Sequence, residues 1–460
     1  MATGGVLDPR MIVDWMDGGR RASRDRARDI LEKGRTAVGL TPEEAACLLW
    51  VDDGEMEGEL LAAAGQVKDR IYGKRIVLFA PLYISNYCVN DCAYCGYRAN
   101  NRGLLRRRLS PSQIAEEVIA LEGMGHKRLV VETGEDSEHC PLDYVLEAIA
   151  TIYATSHQQG SIRRVNVNLP AAAVDDYRRL KAAGIGTCVL FQETYHQPTY
   201  SRLHRGPKAD YDWHLEAMDR AMIGGLDDVG IGALFGLYDH RFEVLAILAH
   251  AAHLESRFGS GPHTISVPRL KSAPGMDPGL RAYPVSDRDF KRLVAVLRLA
   301  VPYTGLILST REKPDLRDEL FAAGVSQISA GSCTGVGGYR RGEPAAPQFA
   351  VEDHRSPDEV IRRLLESGYL PSYCTACYRQ GRTGDRFMEL AKTGRIKDVC
   401  QPNAILTLKE YLLDYASDQT RVVGERVLDA HLAETASPRT RDETRARLAR
   451  IASGERDLYF

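Results

Sequence analysis

Residues 76–98 read IVLFAPLYISNYCVNDCAYCGYR, an apolar run that leads directly into three cysteines. A continuous apolar run of this kind is typical of a parallel strand that is covered on both faces. Cys88, Cys92 and Cys95 follow at the spacing C-x3-C-x2-C. Three thiolates on a short loop can hold three irons of a cubane iron–sulfur cluster and leave the fourth iron without a protein ligand. The stretch therefore predicts a strand followed by a metal centre with an open position, where a substrate can bind.

Short apolar runs alternate with amphipathic segments beyond this point. Eight such alternations favour a (βα)8 barrel over an open sheet. In such a barrel the chemistry lies at the carboxyl ends of the strands, and the first cysteine motif directly follows the first strand. The predicted strands are 76–82, 129–132, 164–168, 188–192, 228–234, 264–267, 305–309 and 325–330.

The predicted fold class is α/β, with a TIM-type barrel between two helical segments. Residues 1–74 read as an N-terminal helical segment, in which Thr41, Pro42 and Glu44 form a capping box with proline at the first helical position. Residues 75–340 form the barrel, and residues 341–460 form a C-terminal helical domain. The polar, glycine-rich stretch 337–344 marks the boundary between the last two.

Charge and apolar patterning exclude several kinds of partner. Lys and Arg total 60 against 62 for Asp and Glu, so the net charge of -2 favours neither nucleic acid nor an anionic membrane. No apolar run approaches the roughly 20 residues that cross a bilayer. The start, Met1 to Gly5, lacks the basic and apolar regions of a secretory signal. We therefore expect a cytoplasmic protein, in which clustered cysteines are metal ligands more often than disulfides.

The first cysteine motif resembles that of the radical S-adenosylmethionine (SAM) superfamily in its spacing, its preceding strand and the aromatic Tyr94. A half zinc site or three unrelated thiols is the alternative. The resemblance implies that Cys88, Cys92 and Cys95 hold a 4Fe-4S cluster and that Tyr94 packs near the adenine of SAM. It further implies that SAM binds the open iron and is split by one electron into methionine and a 5′-deoxyadenosyl radical.

Thr133-Gly134-Glu135 follows the second predicted strand. Radical SAM enzymes often carry a Gly-Gly-Glu-like turn at this place, and an acceptor beside the SAM ammonium is what such a site requires. The resemblance therefore assigns these three residues to SAM binding, with threonine in place of the first glycine. An ordinary turn between strand and helix is the alternative.

A second group, Cys374, Cys377 and Cys400, has the pattern C-x2-C-x22-C in the C-terminal segment. Structural zinc usually takes four ligands, and no fourth cysteine or nearby histidine array follows Cys400. Three thiolates again suggest a cubane cluster with one open iron.

Longer stretches resemble the HydG family, the tyrosine-cleaving maturases of FeFe hydrogenase, from about Leu40 to Asp414. The ThiH tyrosine lyases of thiamine synthesis share the barrel but not the complete second cysteine group. The stretches that carry the resemblance are residues 71–73, 78–88, 191–196, 261–269, 307–312, 326–332, 374–379 and 409–416.

The resemblance implies a reaction in two stages. The radical takes hydrogen from tyrosine, and the Cα–Cβ bond breaks to give p-cresol and dehydroglycine. This fragment then reaches the second cluster through the barrel and yields carbon monoxide and cyanide for the hydrogenase H-cluster. The implied cofactors are SAM and two 4Fe-4S clusters, the second able to carry an additional iron. The implied partners are L-tyrosine, an electron donor such as ferredoxin or flavodoxin, and other hydrogenase maturation proteins.

Candidate substrate contacts lie at or near predicted strand ends. Arg269, at the end of the sixth strand, is a bidentate donor suited to the tyrosine carboxylate, with a salt-bridged structural arginine as the alternative. Gln192, Glu193 and Ser266 are candidates to orient the amino acid.

The ligand of the additional iron has two candidates. His263 lies in a stretch, Gly-Pro-His-Thr-Ile-Ser, that matches the family, and a neutral imidazole suits Fe(II). However, it precedes the sixth strand, which would place it at the barrel end opposite the first motif, and a buried structural histidine is the alternative. His196, which follows the fourth strand, competes with it.

Three functions remain open from the sequence. The first is the tyrosine lyase that makes carbon monoxide and cyanide. The second is a tyrosine lyase that stops at 2-iminoacetate, against which the complete second cysteine group counts. The third is a non-catalytic iron–sulfur scaffold that carries a cluster to a partner.

Overall fold

The computed structural model describes residues 5–341 and 346–460. The N-terminal residues 1–4, on which the expectation about a secretory signal rests, lie outside it, as do residues 342–344 of the expected domain boundary. The division at residues 74 and 340 stays a prediction. Of the helices that the structure describes, none is both long and apolar enough to pass through a bilayer.

Eight parallel strands close into a barrel. They are β1, β2 and β5–β10, and the closing contact is the parallel pair of β10 with β1, where Val77 faces Gln327 and Leu78 faces Ile328. The strands are β1 (Arg75–Ser85), β2 (Arg128–Thr133), β3 (Ser156–His157), β4 (Gly160–Ser161), β5 (Arg164–Asn168), β6 (Cys188–Val189), β7 (Val229–Gly232), β8 (Thr264–Ser266), β9 (Gly305–Leu308), β10 (Gln327–Ser329) and β11 (Leu370–Ser372).

This arrangement confirms the predicted barrel and all eight predicted strands. β6 ends at Val189, three residues earlier than expected, because the chain leaves extended geometry and Glu193 takes a φ of 67°. The short pair β3–β4, an antiparallel hairpin outside the barrel, was not predicted, because two-residue strands leave no periodic signal.

Helices surround the barrel and extend it at both ends of the chain. They are α1 (Pro9–Arg20), α2 (Arg24–Arg35), α3 (Pro42–Leu49), α4 (Gly54–Tyr72), α5 (Pro111–Gly123), α6 (Leu142–Ala154), α7 (Val174–Ala182), α8 (Gln197–Leu203), α9 (Tyr211–Leu215), α10 (Ala217–Ile223), α11 (His240–Phe258), α12 (Asp287–Ala300), α13 (Pro314–Ala322), α14 (Gly338–Arg341), α15 (Pro357–Glu366), α16 (Ala376–Arg379), α17 (Gly384–Lys392), α18 (Ile396–Asp414), α19 (Asp418–Ala433) and α20 (Pro438–Ala452).

The N-terminal helices cover one side of the barrel. α1 packs against α3 and α11, and α4 packs against α12 and α13. The approach of α4 is close, because a Cβ added at Gly65 would lie 2.2 Å from the carbonyl oxygen of Ala322. The predicted capping box at the start of α3 is confirmed, with Thr41 and Glu44 exchanging side-chain and backbone hydrogen bonds.

The C-terminal segment contains a strand as well as the expected helices. β11 pairs in parallel with the first residues of β1, so that Arg75 faces Leu370 and Val77 faces Ser372. α18 packs on β11, and α19 and α20 pack on α18. Only helices were predicted in this segment, because a three-residue strand that contains Pro371 has no recognisable strand pattern. The strand ties the second cysteine group to the amino end of the barrel.

A fully buried ion pair holds the end of β10. Arg317 and Asp353 are both inaccessible to solvent, and Arg317 also donates to the carbonyl oxygen of Ser329 at 2.5 Å. We expect Asp353→Ala to lower the free energy of unfolding by about 3–5 kcal/mol, because it leaves the guanidinium buried without its partner. Urea denaturation measures this, and Asp175→Ala, which breaks the exposed pair with Arg178, is the control that should change little. Equal effects of the two substitutions would contradict this account.

Candidate functional site

A cavity of about 210 Å³ opens at the carboxyl end of the barrel. The three thiols of the first motif line it, together with side chains from the ends of the barrel strands. The position is the one that the sequence predicted, because the motif directly follows β1. Cys92 is buried, whereas Cys88 and Cys95 are half-buried.

Three backbone hydrogen bonds to two neighbouring segments fix the loop that carries these cysteines. The N–H of Val89 donates to the carbonyl of Glu135 at 2.8 Å, and the N–H of Asp91 donates to the carbonyl of Arg205 at 3.0 Å. The N–H of Ala93 donates to the carbonyl of Leu203 at 2.9 Å. The loop is therefore held in place by the turn after β2 and by the end of α8.

The thiols fit an iron–sulfur cluster better than a single metal ion. Among the described residues, no three histidine, cysteine or acidic side chains converge as ligands of one ion would. Ligands of a cubane bind three different irons and need not converge. Burial raises the pKa of Cys92, and it raises the pKa of Cys95 to about 11. Since iron binds thiolate, a bound cluster would supply the positive charge that ionisation of these buried thiols requires.

The predicted SAM-binding turn lies beside the cysteine loop. Thr133, Gly134 and Glu135 all line the cavity. A Cβ at position 134 would lie 2.2 Å from the carbonyl oxygen of Tyr87 and 3.0 Å from the Cβ of Cys88, so only glycine fits there. The carboxylate of Glu135 accepts a hydrogen bond from the Asn90 amide at 2.5 Å, which joins the turn to the loop.

Tyr94 also lines the cavity and is buried. Its hydroxyl lies 2.9 Å from Nε2 of His204. Burial lowers the pKa of His204 to about 4, so the ring is neutral near pH 7. This contact fixes the orientation of the Tyr94 ring at the cavity wall, where the sequence predicted contact with an adenine.

The predicted amino-acid contacts divide into two groups. Ser266 and Glu193 line the cavity, and Glu193 is paired with the half-buried Lys208 at 2.7 Å. Gln192 is buried and does not line the cavity, and His196 stacks on Tyr238 with ring centroids 3.7 Å apart. The structure thus brings two of the three residues predicted to orient the amino acid to the cavity, and it places His196, the competing candidate for the additional iron, outside this cavity.

Arg269 has the salt-bridged arrangement that was its alternative interpretation. It is paired with the buried Glu312 and with Asp287, and it also donates to the carbonyl of Val285 at 3.0 Å. It does not line the cavity. Its neighbours satisfy the guanidinium, which leaves no free fork for a ligand carboxylate.

Arg311 is the guanidinium that faces the cavity instead. It lies three residues after β9, stacks on Phe349 at 3.2 Å from the ring centroid, and forms no ion pair with the described residues. Burial lowers its pKa, although Tyr83 and Glu193 lie near enough to oppose the shift. Sequence analysis missed this residue as a ligand, although a charged residue just past a barrel strand is the signal that finds such sites.

A second cavity of about 40 Å³ lies at the amino end of the barrel. Cys374, Cys377 and Cys400 line it. The thiol of Cys377 is hydrogen-bonded to Cys400, which lowers the pKa of Cys377, and Arg382 lowers it further. The second triplet thus comes together in space, although Cys400 is on α18 and the other two are at the start of α16.

Two arginines face these thiols. Arg75 and Arg128 line the second cavity, and the Nε atom of each is buried without a hydrogen-bond partner among the described residues. Neither forms an ion pair there. The second cavity therefore combines three thiols with two arginines that no described carboxylate neutralises, and this positive charge favours the ionised thiolate that binds metal.

His263 lies in the second cavity. It directly precedes β8, so it is at the amino end of the barrel, and the second cysteine group lies at that same end. Its Nδ1 lies 3.5 Å from Asp228, and its ring packs on Phe387 with centroids 4.4 Å apart. Burial lowers its pKa, so the imidazole is neutral, as a metal ligand must be. His196 does not line this cavity.

Comparison with known proteins agrees with this geometry. A radical SAM superfamily pattern matches residues 82–249, and a biotin and thiamin synthesis associated domain matches residues 266–370. A crystal structure of HydG, described as a maturase of the [FeFe]-hydrogenase, superposes with a TM-score of 0.96 at 56% identity, over 99% of this chain and 100% of that one. The chain belongs to the HydG family of radical SAM enzymes.

Other relatives have the same fold. HydG from Carboxydothermus hydrogenoformans has a TM-score of 0.85 at 40% identity, over 96% of this chain and 97% of its own. The 2-iminoacetate synthase of Escherichia coli is 32% identical over 362 residues, 78% of this chain and 93% of that protein. Methylornithine synthase, with a TM-score of 0.62 at 22% identity, shares the fold.

Gly134 offers a test of the first site. We expect Gly134→Ala to weaken SAM binding by about tenfold or more, because the new methyl group would push the turn away from Tyr87 and Cys88. Equilibrium dialysis of the anaerobically reconstituted protein measures the affinity. Gly123→Ala, where the added methyl meets nothing within 4 Å, is the control. Unchanged SAM affinity in Gly134→Ala would show that the turn does not take part.

Proposed function

We propose that this enzyme of the HydG family cleaves the Cα–Cβ bond of L-tyrosine to p-cresol and dehydroglycine, and forms carbon monoxide and cyanide from the fragment for FeFe-hydrogenase H-cluster assembly. One observation carries the proposal. The second cysteine triplet lines its own cavity, together with a neutral histidine, at the other end of the same barrel. A lyase that ended at 2-iminoacetate would have no use for such a second site.

The residues at the first cavity suit this role. Cys88, Cys92 and Cys95 would hold a 4Fe-4S cluster, which supplies the electron that cleaves SAM and the position at which SAM binds. Thr133, Gly134 and Glu135 would meet the SAM ammonium, and Tyr94 would pack against its adenine. The chain's own part is to hold both SAM and the amino acid in one water-poor cavity.

Arg311 is the group that we assign to the tyrosine carboxylate. Arg311 is half-buried in the cavity wall and forms no ion pair with a described carboxylate, so a bound carboxylate would supply the negative charge that its guanidinium lacks. Ser266 and Asn168, both in the cavity wall, can accept from the amino group. Glu132 lines the same cavity, and burial raises its pKa to about 8, so near neutral pH it is largely a neutral donor and acceptor.

The two cavities are separated by a short distance through the barrel. On β1, Val77 lines the second cavity and Phe79, two residues later, lines the first. On β9, Gly305 and Ile307 line the second and the first cavity in the same way. Two residues along a strand correspond to about 7 Å. A fragment as small as dehydroglycine would therefore pass from the first site to the second inside the barrel, away from solvent.

At the second site, Cys374, Cys377 and Cys400 would hold the second 4Fe-4S cluster, and His263 would be a ligand of the additional iron. Arg75 and Arg128 would offset the negative charge of the thiolates. An electron donor such as ferredoxin or flavodoxin, and other hydrogenase maturation proteins, are the partners that this function requires. A cytoplasmic location remains our expectation.

The similarity to 2-iminoacetate synthase supports the alternative in which the reaction ends at dehydroglycine, also called 2-iminoacetate. Both functions share the first stage, so only the second products separate them. A scaffold without catalysis would bind iron but leave SAM intact. Anaerobically reconstituted protein with SAM, tyrosine and a reductant therefore distinguishes all three by its yield of 5′-deoxyadenosine, p-cresol, carbon monoxide and cyanide.

Cys374 separates the two stages. We expect Cys374→Ala to keep p-cresol formation within about twofold of the wild type and to lose carbon monoxide, because its thiol lines only the second cavity. Gas chromatography or a haem-binding assay measures carbon monoxide. Cys188→Ala, which removes a buried thiol outside both cavities, is the control. Loss of both products in Cys374→Ala alone would contradict separate sites.

Two arginines separate the competing assignments of the carboxylate ligand. We expect Arg311→Gln to raise the KM for tyrosine by about tenfold to a hundredfold, the size expected for one lost charged hydrogen bond. Arg269→Gln makes the same chemical change next to Glu312 and should alter stability more than KM. Initial rates of p-cresol formation over a range of tyrosine concentrations measure both. The reverse result would restore the assignment to Arg269.

A further inference from the structure

The segment after the first cysteine motif is strongly basic. Residues 98–108, which we call the basic loop, contain five arginines and no acidic residue, although the whole chain has a net charge of -2. The proposed function does not use these residues, because none of the five lines either cavity. Blocks of like charge on an otherwise balanced protein often mark an interaction surface.

Two of the five arginines have structural roles. Arg98 is paired with Asp91 at 2.6 Å, and Arg106 donates to the carbonyl oxygens of Asn86, Tyr97 and Arg98 at 2.6–2.8 Å. These contacts fix the basic loop against the cysteine loop. They also neutralise the charge of Arg98 and occupy most of the N–H donors of Arg106.

The other three arginines are free to meet a partner. Arg102 and Arg108 are exposed and Arg107 is half-buried, and no described carboxylate lies within ion-pair distance of any of them. Arg108 lies over the ring of Tyr144, 4.0 Å from its centroid. Leu105, between them in sequence, is 71% exposed.

A second pair of cations flanks the cysteine loop from its other side. Arg202 and Arg205 are exposed at the end of α8, and neither is paired with a described carboxylate. Their segment is the one whose carbonyl oxygens accept from the N–H groups of Asp91 and Ala93. Val89, directly after Cys88, is 46% exposed. The surface outside the cysteine loop thus has exposed apolar residues and unpaired arginines on both flanking segments.

Three acidic residues near this surface already have partners within the chain. Asp91 is paired with Arg98 and accepts a hydrogen bond from the Asn100 amide, and Glu135 accepts a hydrogen bond from the Asn90 amide. Glu116 is paired with Arg340, at 2.7 Å. No carboxylate of residues 5–341 or 346–460 is paired with the remaining arginines of the two flanking segments.

We propose that this surface docks an acidic one-electron carrier protein, such as a flavodoxin. This proposal rests on the proposed function only in that SAM cleavage needs an electron. The carrier loses one electron and the SAM sulfonium gains it. The C5′–S bond then breaks to give methionine and the 5′-deoxyadenosyl radical. The basic loop is hydrogen-bonded to Asn86 and Tyr97, each two residues from a cysteine of the motif, so a carrier seated there lies close to the thiols.

The charge pattern also suits the type of contact. Electron-transfer complexes are small and short-lived, and they are guided by complementary charge more than by buried apolar area. A few exposed apolar side chains with unpaired arginines around them fit a transient acidic partner. The arginines here act as point charges, because they make no bidentate contact, so lysine should replace them.

The test uses the Arg102→Glu/Arg107→Glu double variant of the full chain. The side chains change, while the backbone groups of Arg107 that bond to Asn86 remain. Calorimetric titration with oxidised flavodoxin, at low and at physiological ionic strength, measures the affinity without any turnover. We expect the double variant to bind about tenfold more weakly at low ionic strength, and the wild-type affinity to fall as salt is added.

Two control variants accompany this measurement. Arg102→Lys/Arg107→Lys keeps the charge and should bind as the wild type does. Arg26→Glu/Arg28→Glu reverses two exposed arginines on α2, in the N-terminal segment, and should also leave binding unchanged. 5′-Deoxyadenosine formation should fall in the Arg102→Glu/Arg107→Glu variant with reduced flavodoxin and stay at the wild-type rate with dithionite.

Three results would overturn the proposal. The first is unchanged flavodoxin affinity in the Arg102→Glu/Arg107→Glu variant, as expected if another acidic protein docks there. The others are an equal loss of flavodoxin affinity in the α2 control variant, and a dithionite-driven rate that falls as much as the flavodoxin-driven rate. Failure of reductive SAM cleavage, the one part of the proposed function on which this proposal rests, is distinguishable, because wild-type protein would then make no deoxyadenosine with either reductant. The binding measurement would still decide the docking surface.

Discussion

Strand β1 fixes the positions of both cysteine sites. It is 11 residues long, which corresponds to roughly 35 Å, and its two ends stand at opposite ends of the barrel. Its first residues pair with β11, which leads into Cys374, and its last residues lead into Cys88. It also pairs with β2 and β10 and so closes the barrel. Because a shift of one residue would turn every side chain to the other face, the pairing register of this strand sets both cavities at once.

Unpaired guanidinium groups distinguish the two cavities from the rest of the buried charge. Arg317 and Arg298 are fully buried, but the first is paired with Asp353 and the second donates to three carbonyl oxygens. In the part of the chain that the structure describes, the half-buried Arg311 at one end of the barrel and the buried Arg128 at the other form no ion pair. Burying a cation without a counter-charge costs several kcal/mol, so a negative charge is expected next to each of these arginines. We propose that the tyrosine carboxylate supplies it in the first cavity and the cysteine thiolates supply it in the second.

The cysteine loop is held by its neighbours on every side, and this links the inner and outer surfaces of the first site. Gly134 allows the turn after β2 to contact it, and the backbone of residues 203–205 accepts its N–H groups. The end of α8 and the basic loop, which both contact the cysteine loop, carry arginines that no described carboxylate pairs with. A partner that met those arginines would therefore be adjacent to the thiols without entering the cavity.

The sequence by itself determined the barrel, the two cysteine groups and the glycine turn. Each has a local signal, because strands read as apolar runs, ligands read as cysteine spacing, and Gly134 lies directly after a strand. It did not determine the carboxylate ligand, because Arg269 and Arg311 both follow barrel strands and only their neighbours differ. It also left the ligand of the additional iron open between His263 and His196, because His263 precedes its strand and so lies at the barrel end opposite the first motif.

Only the tertiary structure shows how the surroundings of these residues differ. Glu312 and Asp287 meet Arg269 through packing of separate elements, which leaves Arg311 as the free cation in the described first cavity. Three residues of β11 pair with β1 and bring the second triplet to the amino end of the barrel, beside His263. Pairing of segments nearly 300 residues apart leaves no local pattern in the chain, so the side chains around each charge were settled by the fold alone.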